Sequence, residues 1–294
     1  MSYFKSLPFY VTMGILLFVT AVYFLFRSKY EINHVNPSEV NVVNKWEMSD
    51  TLHEVSGIAY LDKTSMAAIQ DEKGSIFIYN LITKNIDREI KFAENGDYEG
   101  IAMVGNKAYV LRSDAYIFEV EDITKEEPQV TKHELGLTDE YDFEGITYDK
   151  KFNRLLLAYK DENPQKDKDY KEILQFDLEQ KKLLKEPVYK ITYNNPLFKE
   201  LRHFNTDKVF KPSEIGIHPK TGDIYILDGK TPKLLILDSN WQEKQLYVFD
   251  PKVFNQPEGL TFSPEGKIYI ANEGGFSAAN ILHVVFGSSP VSAP

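Results

Sequence analysis

Three glutamates hold the same place in a short phrase that recurs along the chain. The phrase occurs five times, and its second residue is in turn Ser56, Glu99, Glu144, Ser213 and Glu258. If the copies meet in the fold, three carboxylates lie close together and cannot all stay ionised without a counter-charge. Calcium relieves such repulsion, because it accepts six to eight oxygen ligands in loose geometry. The pattern predicts calcium bound by Glu99, Glu144 and Glu258, with Ser56 and Ser213 in weaker or water-mediated contacts.

Two other interpretations of the same residues stay open. Each glutamate can instead bond backbone amides, with the glycine that follows it permitting a tight turn. Another cation or a basic ligand group is the third possibility. The chain has no cysteine and only six scattered histidines, which argues against zinc or copper.

The spacing of the phrases indicates the kind of fold in which they occur. From Ser56 onward the steps are 43, 45, 69 and 45 residues, a period typical of a four-stranded propeller blade. Alternating strands such as 223–227 and 267–271 follow turns that contain glycine. We therefore expect an all-β propeller of five blades, with six as the alternative.

The last repeat has only three strands, and it ends at 281–286. An unassigned strand at 40–46 precedes the first phrase and is expected to complete that blade, which closes the ring. The long step carries an insertion in which 196–204 is predicted to form a short helix. The charged stretch 161–171 is interpreted as a solvated loop.

The amino-terminal segment, residues 1–30, is predicted to be a membrane anchor, followed by a propeller domain at 31–294. Twenty-one uncharged residues lie between Lys5 and Arg27, enough for a helix of about 31 Å, one hydrocarbon thickness. No small-residue cleavage site follows the run, which favours an uncleaved signal anchor. We expect a single-pass membrane protein whose propeller faces the periplasm or the exterior.

The composition of the chain limits the classes of molecule that it can bind. The chain has 294 residues and a net charge of -10, which argues against nucleic acid and favours cations or basic ligands. The lack of cysteine also excludes disulfide scaffolds and cysteine nucleophiles. The protein or small-molecule ligand is not identified by these observations.

At these phrases the chain resembles the SdiA-regulated family of bacterial β-propellers. Two serine phrases, two glutamate phrases and a final Pro-Glu-Gly phrase occur in the family's order, and the acidic strand ends 71–72, 161–162 and 272–273 also match. The resemblance implies an exported propeller, often membrane-anchored, with calcium near the axis and no established catalytic activity. Ser213-Glu214 departs from the usual Ser-Gly pair.

Two functions are carried forward from the sequence. The first is a membrane-anchored, calcium-binding propeller that acts as a binding or scaffold module of the cell envelope. The alternative is a calcium-dependent hydrolase similar to propeller phytases, lactonases or esterase-like propellers, with a glutamate such as Glu144 as the base. A purely structural interaction ring, the third class, would bind no metal. Whether the chain is an enzyme is left open.

Overall fold

The computed structural model describes residues 7–31, 37–137, 141–160, 170–201, 210–287 and 291–292. The first described element is a helix, α1 (Leu7–Glu31), and the next is the strand β1 (Val40–Glu47). Within the described residues, the structure contains no helix that is both long enough and apolar enough to cross a membrane.

The strands after β1 form antiparallel sheets in chain order. Blade 1 contains β2 (Val55–Tyr60), β3 (Ser65–Gln70), β4 (Ser75–Asn80) and β5 (Ile86–Lys91). Blade 2 contains β6 (Tyr98–Val104), β7 (Lys107–Arg112), β8 (Tyr116–Val120) and β9 (Val130–Glu134). Blade 3 contains β10 (Phe143–Asp149), β11 (Arg154–Tyr159), β12 (Tyr170–Asp177), β13 (Lys182–Leu183) and β14 (Tyr189–Thr192). Blade 4 contains β15 (Pro212–Ile217), β16 (Ile224–Asp228), β17 (Lys233–Leu237) and β18 (Glu243–Val248), and blade 5 contains β19 (Pro257–Phe262), β20 (Ile268–Asn272) and β21 (Asn280–Phe286).

Five sheets confirm the predicted five-bladed propeller. The predicted closing strand is also confirmed, because β1 pairs antiparallel with β21, from Val40 opposite Phe286 to Glu47 opposite Asn280. Blade 5 therefore receives its outermost strand from the start of the domain. Closure of this kind joins the two ends of the ring through a backbone ladder.

Apolar packing between blades holds the ring together. In the described residues, buried apolar side chains form five clusters, and each cluster joins two neighbouring blades. The inner strands are buried on both faces, so β2 and β15 are buried at all but their last residue. This explains why the phrase is followed by apolar residues at every copy.

The insertion lies between blades 3 and 4. A short 3-10 helix at Pro196–Leu201 agrees with the predicted helix as far as the described residues extend, and residues 202–204 lie outside them. Phe198 of this helix is fully buried and joins the apolar cluster between the two blades. Most of the predicted loop, residues 161–169, also lies outside the described residues.

Both ends of the domain meet the outer strand of blade 4. The Ser38 backbone N–H donates to Val248 O at 2.7 Å, and its hydroxyl oxygen accepts from Val248 N at 3.0 Å. The last strand, β22 (Val291–Ser292), pairs with Leu246 and Gln245 of the same strand. The outer edge of β18 is thus contacted by segments from both ends of the propeller domain.

Candidate functional site

A backbone irregularity explains why the second residue of each phrase is special. In all five blades the ladder between the first and second strands shifts register at this residue, which therefore has no partner in the regular pairing. The five residues are Ser56, Glu99, Glu144, Ser213 and Glu258. Such a bulge turns a side chain away from the direction that the regular pleat would give it. Because the five strands line the axis, the five bulges lie at one end of the channel, which we call the channel entrance.

The glycine after the bulge is required by close packing between blades. A Cβ atom at Gly100 would lie 2.8 Å from Glu144 O, and one at Gly145 would lie 2.8 Å from the Glu214 Cα. Neither glycine has a positive φ. The sequence-based suggestion that these glycines permit a tight turn is therefore wrong, since their role is to let neighbouring inner strands approach.

The two serines bond to neighbouring backbone. The Ser56 hydroxyl donates to Tyr98 O at 2.6 Å, and the Ser213 hydroxyl donates to Pro257 O at 2.9 Å. Each bond joins one blade to the next at the level of the bulge. In this arrangement the serines fix the spacing of the inner strands.

The three predicted glutamates do come together. Burial raises the pKa of Glu144 well above its ordinary value, and the nearby carboxylates of Glu99 and Glu258 raise it further. Burial, with added repulsion from Asp97, raises the pKa of Glu99 to about 9. Burial also raises the pKa of Glu258, although Lys160 opposes this rise and the result is about 7. The entrance thus holds acidic groups that resist ionisation at neutral pH.

A fourth carboxylate, Glu214, was not predicted as a site residue. It is 1% exposed and stands where the four other blades have glycine. Its Oε1 accepts hydrogen bonds from Ile146 N at 2.9 Å and Ile215 N at 2.8 Å, while Oε2 has no hydrogen-bond partner among the described residues. Burial raises the pKa of Glu214 well above its ordinary value, and Glu258 and Glu99 add repulsion. The departure from the Ser-Gly pair was the signal that could have identified it.

Among the described residues, the cation that pairs with this group of acids is Lys160. The Lys160 Nζ lies 3.0 Å from Glu144 Oε1. Burial opposes its charge, but the carboxylates of Glu144, Glu258 and Glu99 raise the pKa of Lys160 overall. Its ammonium group is therefore held in the charged form by the entrance.

The rim of the entrance is acidic as well. Burial and repulsion from Glu54, Glu72 and Glu273 raise the pKa of Asp71 to about 6. This brings together two of the acidic strand ends noted in the sequence, from blades 1 and 5. The third, residues 161–162, lies outside the described residues.

The other mouth of the channel is different in character. All five inner strands line a cavity of about 210 Å³ there, with walls that include Tyr60, Met103 and Phe262. The buried glutamate cluster thus lies at the opposite end of the axis from this cavity.

The donor chemistry of the entrance fits a hard cation, since the side chains offer oxygen ligands and Glu214 Oε2 lacks a partner. As the side chains are placed, however, no three His, Asp or Glu residues in the described part of the chain could hold a metal ion. Glu144 is paired with Lys160, and the serine hydroxyls and Glu214 Oε1 are engaged with backbone. Metal binding would require some of these contacts to change.

The fold and the entrance define the class of protein: a five-bladed β-propeller with a cluster of buried carboxylates at one end of its channel. The chain belongs to the SdiA-regulated family, whose profile matches residues 36–276. A search of curated proteins finds no match.

Solved propellers share the fold at low sequence identity. Glutaminyl cyclase from Myxococcus xanthus aligns with a TM-score of 0.58 and 12% identity, over 86% of this chain and 97% of that one. The PQQ-bound aldose sugar dehydrogenase from Streptomyces coelicolor aligns with a TM-score of 0.51 and 12% identity, over 85% of this chain and 99% of that one. These similarities show a common fold and say nothing about substrate or reaction.

Proposed function

We propose that this protein is a membrane-anchored, extracytoplasmic propeller that binds calcium at its channel entrance and serves as a binding or scaffold module of the cell envelope. The observation that carries the proposal is the convergence of four carboxylates, Glu99, Glu144, Glu214 and Glu258, in a buried space. Like charges in such a space raise one another's pKa unless a cation neutralises them. A divalent cation would supply that neutralisation.

The residues of this chain have distinct roles in the proposal. Glu99, Glu144 and Glu258 would hold the ion directly through carboxylate oxygens. Glu214 Oε2 is a further acceptor without a partner among the described residues. The hydroxyls of Ser56 and Ser213 keep neighbouring blades in place and would contribute weaker or water-mediated contacts.

Membrane anchoring is supported by the sequence and by the exposure of α1. The run between Lys5 and Arg27 contains no charge, and helix residues such as Leu16, Leu17 and Phe18 are 64–70% exposed. Exposed apolar surface costs about 25 cal/mol per Å² in water, a cost that a lipid environment removes. A reporter fused after Pro294 and active only in the cytoplasm would refute the proposed orientation.

A calcium-dependent hydrolase is the second candidate, and one observation bears on it. Glu144 was suggested as the base, and its carboxylate is paired with the Lys160 ammonium group at 3.0 Å, so this ion pair would have to separate before Glu144 could accept a proton. The Arg112 guanidinium, at the end of β7, is paired with Asp114 at 2.6 Å. A panel of phosphate-ester, lactone and carboxyl-ester substrates, with calcium and with chelator, would detect this activity.

Calorimetric titration of calcium into the full-length protein in detergent tests the proposal. The parent is expected to bind calcium, and Glu144→Gln, which keeps the size of the side chain and removes its charge, is expected to bind it at least about tenfold more weakly. Glu89→Gln is the matched control, because Glu89 is exposed on β5. Absence of calcium binding by the parent would contradict the proposal, and so would equal affinities for parent and Glu144→Gln.

A further inference from the structure

Lys160 holds a position at which no other blade has a cation. It directly follows β11, the second strand of blade 3, and its backbone N–H donates to Asp142 O at 2.8 Å. The ladder between first and second strands aligns it with one residue in each of the other four blades, and these residues are Asp71, Ser113, Gly229 and Glu273. Two of the four are acidic, so the charge of Lys160 is the exception at this level of the ring.

The ammonium group of Lys160 already serves as a counter-ion. Its Nζ is 3.0 Å from Glu144 Oε1, and the same group interacts electrostatically with Glu99 and Glu258. These three glutamates are the ones predicted to hold a divalent ion. Lysine and metal would therefore need the same carboxylate oxygens.

The ammonium group of Lys160 can also move out of the carboxylate cluster. Its side chain is 26% exposed, against 3% for that of Glu144. Lysine carries a compact, strongly hydrated charge on a flexible four-carbon stem, so the ammonium group can move into water while the stem stays against the protein. The carboxylate has no comparable freedom.

We propose that Lys160 is a tethered cation that occupies the channel entrance in the metal-free protein and is displaced when a divalent cation binds. The inference rests on the proposed cation-binding function and assigns this lysine a role in it. By occupying Glu144, Lys160 raises the concentration of divalent ion needed to fill the site. It also offsets part of the negative charge of the metal-free cluster.

Calcium titration of Lys160→Met tests this competition. Methionine keeps an unbranched chain of similar length and removes the charge. We expect Lys160→Met to bind calcium at least about tenfold more tightly than the parent. Lys190→Met is the matched control, since Lys190 is half exposed, pairs with Glu172 at 3.4 Å and, when replaced, changes the net charge equally. Its calcium affinity should equal that of the parent.

The outcomes separate the two proposals. Calcium binding by both proteins, with Lys160→Met equal to or weaker than the parent, overturns the role of Lys160 and leaves the cation site intact. Binding by neither protein overturns both proposals. Binding by Lys160→Met alone supports the competition and contradicts the proposed calcium-binding function of the parent.

A second measurement uses the unaltered protein and so does not depend on a variant that folds. Brief acetylation of amines, followed by mass spectrometry, reports how accessible each lysine is. Calcium should increase acetylation of Lys160 at least about threefold and leave Lys190 unchanged, because displacement moves the Lys160 ammonium group into water. Unchanged or reduced labelling of Lys160 in a calcium-saturated protein would show that the lysine stays in place and would overturn the proposal.

Discussion

Buried glutamates occur in two regions of this propeller, and their pKa values shift in opposite directions. Glu119 on β8 is 5% exposed, and its side chain bonds Lys181 Nζ at 2.8 Å, His133 Nε2 at 2.7 Å and the Lys107 ammonium group. Burial alone would raise the pKa of Glu119, but these hydrogen bonds outweigh burial and lower it to about 2. At the channel entrance burial dominates, and Glu99 reaches about 9.

This comparison distinguishes a buried carboxylate that stabilises the fold from one that is available to bind a ligand. Around Glu119 the protein supplies several basic groups for one carboxylate, and Lys181 joins blade 3 to blade 2 through it. At the entrance the ammonium group of Lys160 faces several carboxylates at once. Where basic side chains of the protein neutralise a buried carboxylate, the cluster holds blades together. Where carboxylates outnumber the basic side chains, the cluster favours binding of a cation from solution.

The largest effect is expected on the free energy of unfolding, and it should differ between substitutions in the two regions. Removing one member of a buried charge cluster leaves the others uncompensated and costs about 3 kcal/mol. We expect Glu119→Gln to lower the free energy of unfolding by about that amount. Glu144→Gln in chelator should cost nothing or stabilise, because it relieves repulsion among the entrance carboxylates. Urea denaturation of both variants checks this, and a large loss for metal-free Glu144→Gln would contradict the comparison.

Calcium should act on one region alone. A ligand that binds only the folded state at a hundredfold excess over its Kd stabilises it by about 2.7 kcal/mol. Calcium should therefore raise the melting temperature of the parent and of Glu119→Gln by similar amounts, and the rise should shrink in Glu144→Gln. Identical melting curves of the parent in calcium and in chelator would end the metal hypothesis.

The pH dependence of stability should have two opposite limbs. The folded pKa of Glu258, about 7, and that of Glu99, about 9, lie above the ordinary value of 4.5, so their contribution is complete below about 4.5 and is lost as pH rises through 7 and 9. Glu119, at about 2, lies below 4.5, so its contribution is present above 4.5 and is lost as pH falls through 2.

In chelator we therefore expect the free energy of unfolding to peak near pH 5. It should fall by about 1.4 kcal/mol or more by pH 9, since one pKa unit is worth that much. Denaturation curves at pH 3, 5, 7 and 9 test this. Glu258→Gln should make the decline between pH 5 and 7 less steep, since Glu99 still contributes there, and Glu119→Gln should reduce the acid limb only.

The smallest expected effect concerns the outer edge of blade 4, far from both acidic regions. Ser38→Ala removes the hydroxyl that accepts from Val248 N and should cost about 1 kcal/mol, the usual value of one hydrogen bond. Calcium affinity should stay unchanged, because this edge lies outside the entrance. A change in calcium affinity for Ser38→Ala would show that the seam between blades 4 and 5 communicates with the channel.

Much of the fold was accessible from the sequence because its signals are local. The recurring phrase marked the start of each inner strand, and the register shift found at Glu99 and Glu144 explains why that position repeats. The strand at 40–46 could be assigned to blade 5 because that repeat lacked a fourth strand. The reason for the glycines was missed, since close approach between blades is a non-local property.

Repeat spacing and strand periodicity are properties of short segments, so they were enough to predict a ring of five blades, with six as the alternative, its closure and the level at which three glutamates meet. The partners of these residues depend on the tertiary structure. It placed Lys160 against Glu144, turned Glu214 into a fourth buried acid and engaged the serine hydroxyls with backbone carbonyls. Such pairings depend on the distances between blades to within a fraction of a side chain's length. These distances cannot be predicted from a local sequence pattern.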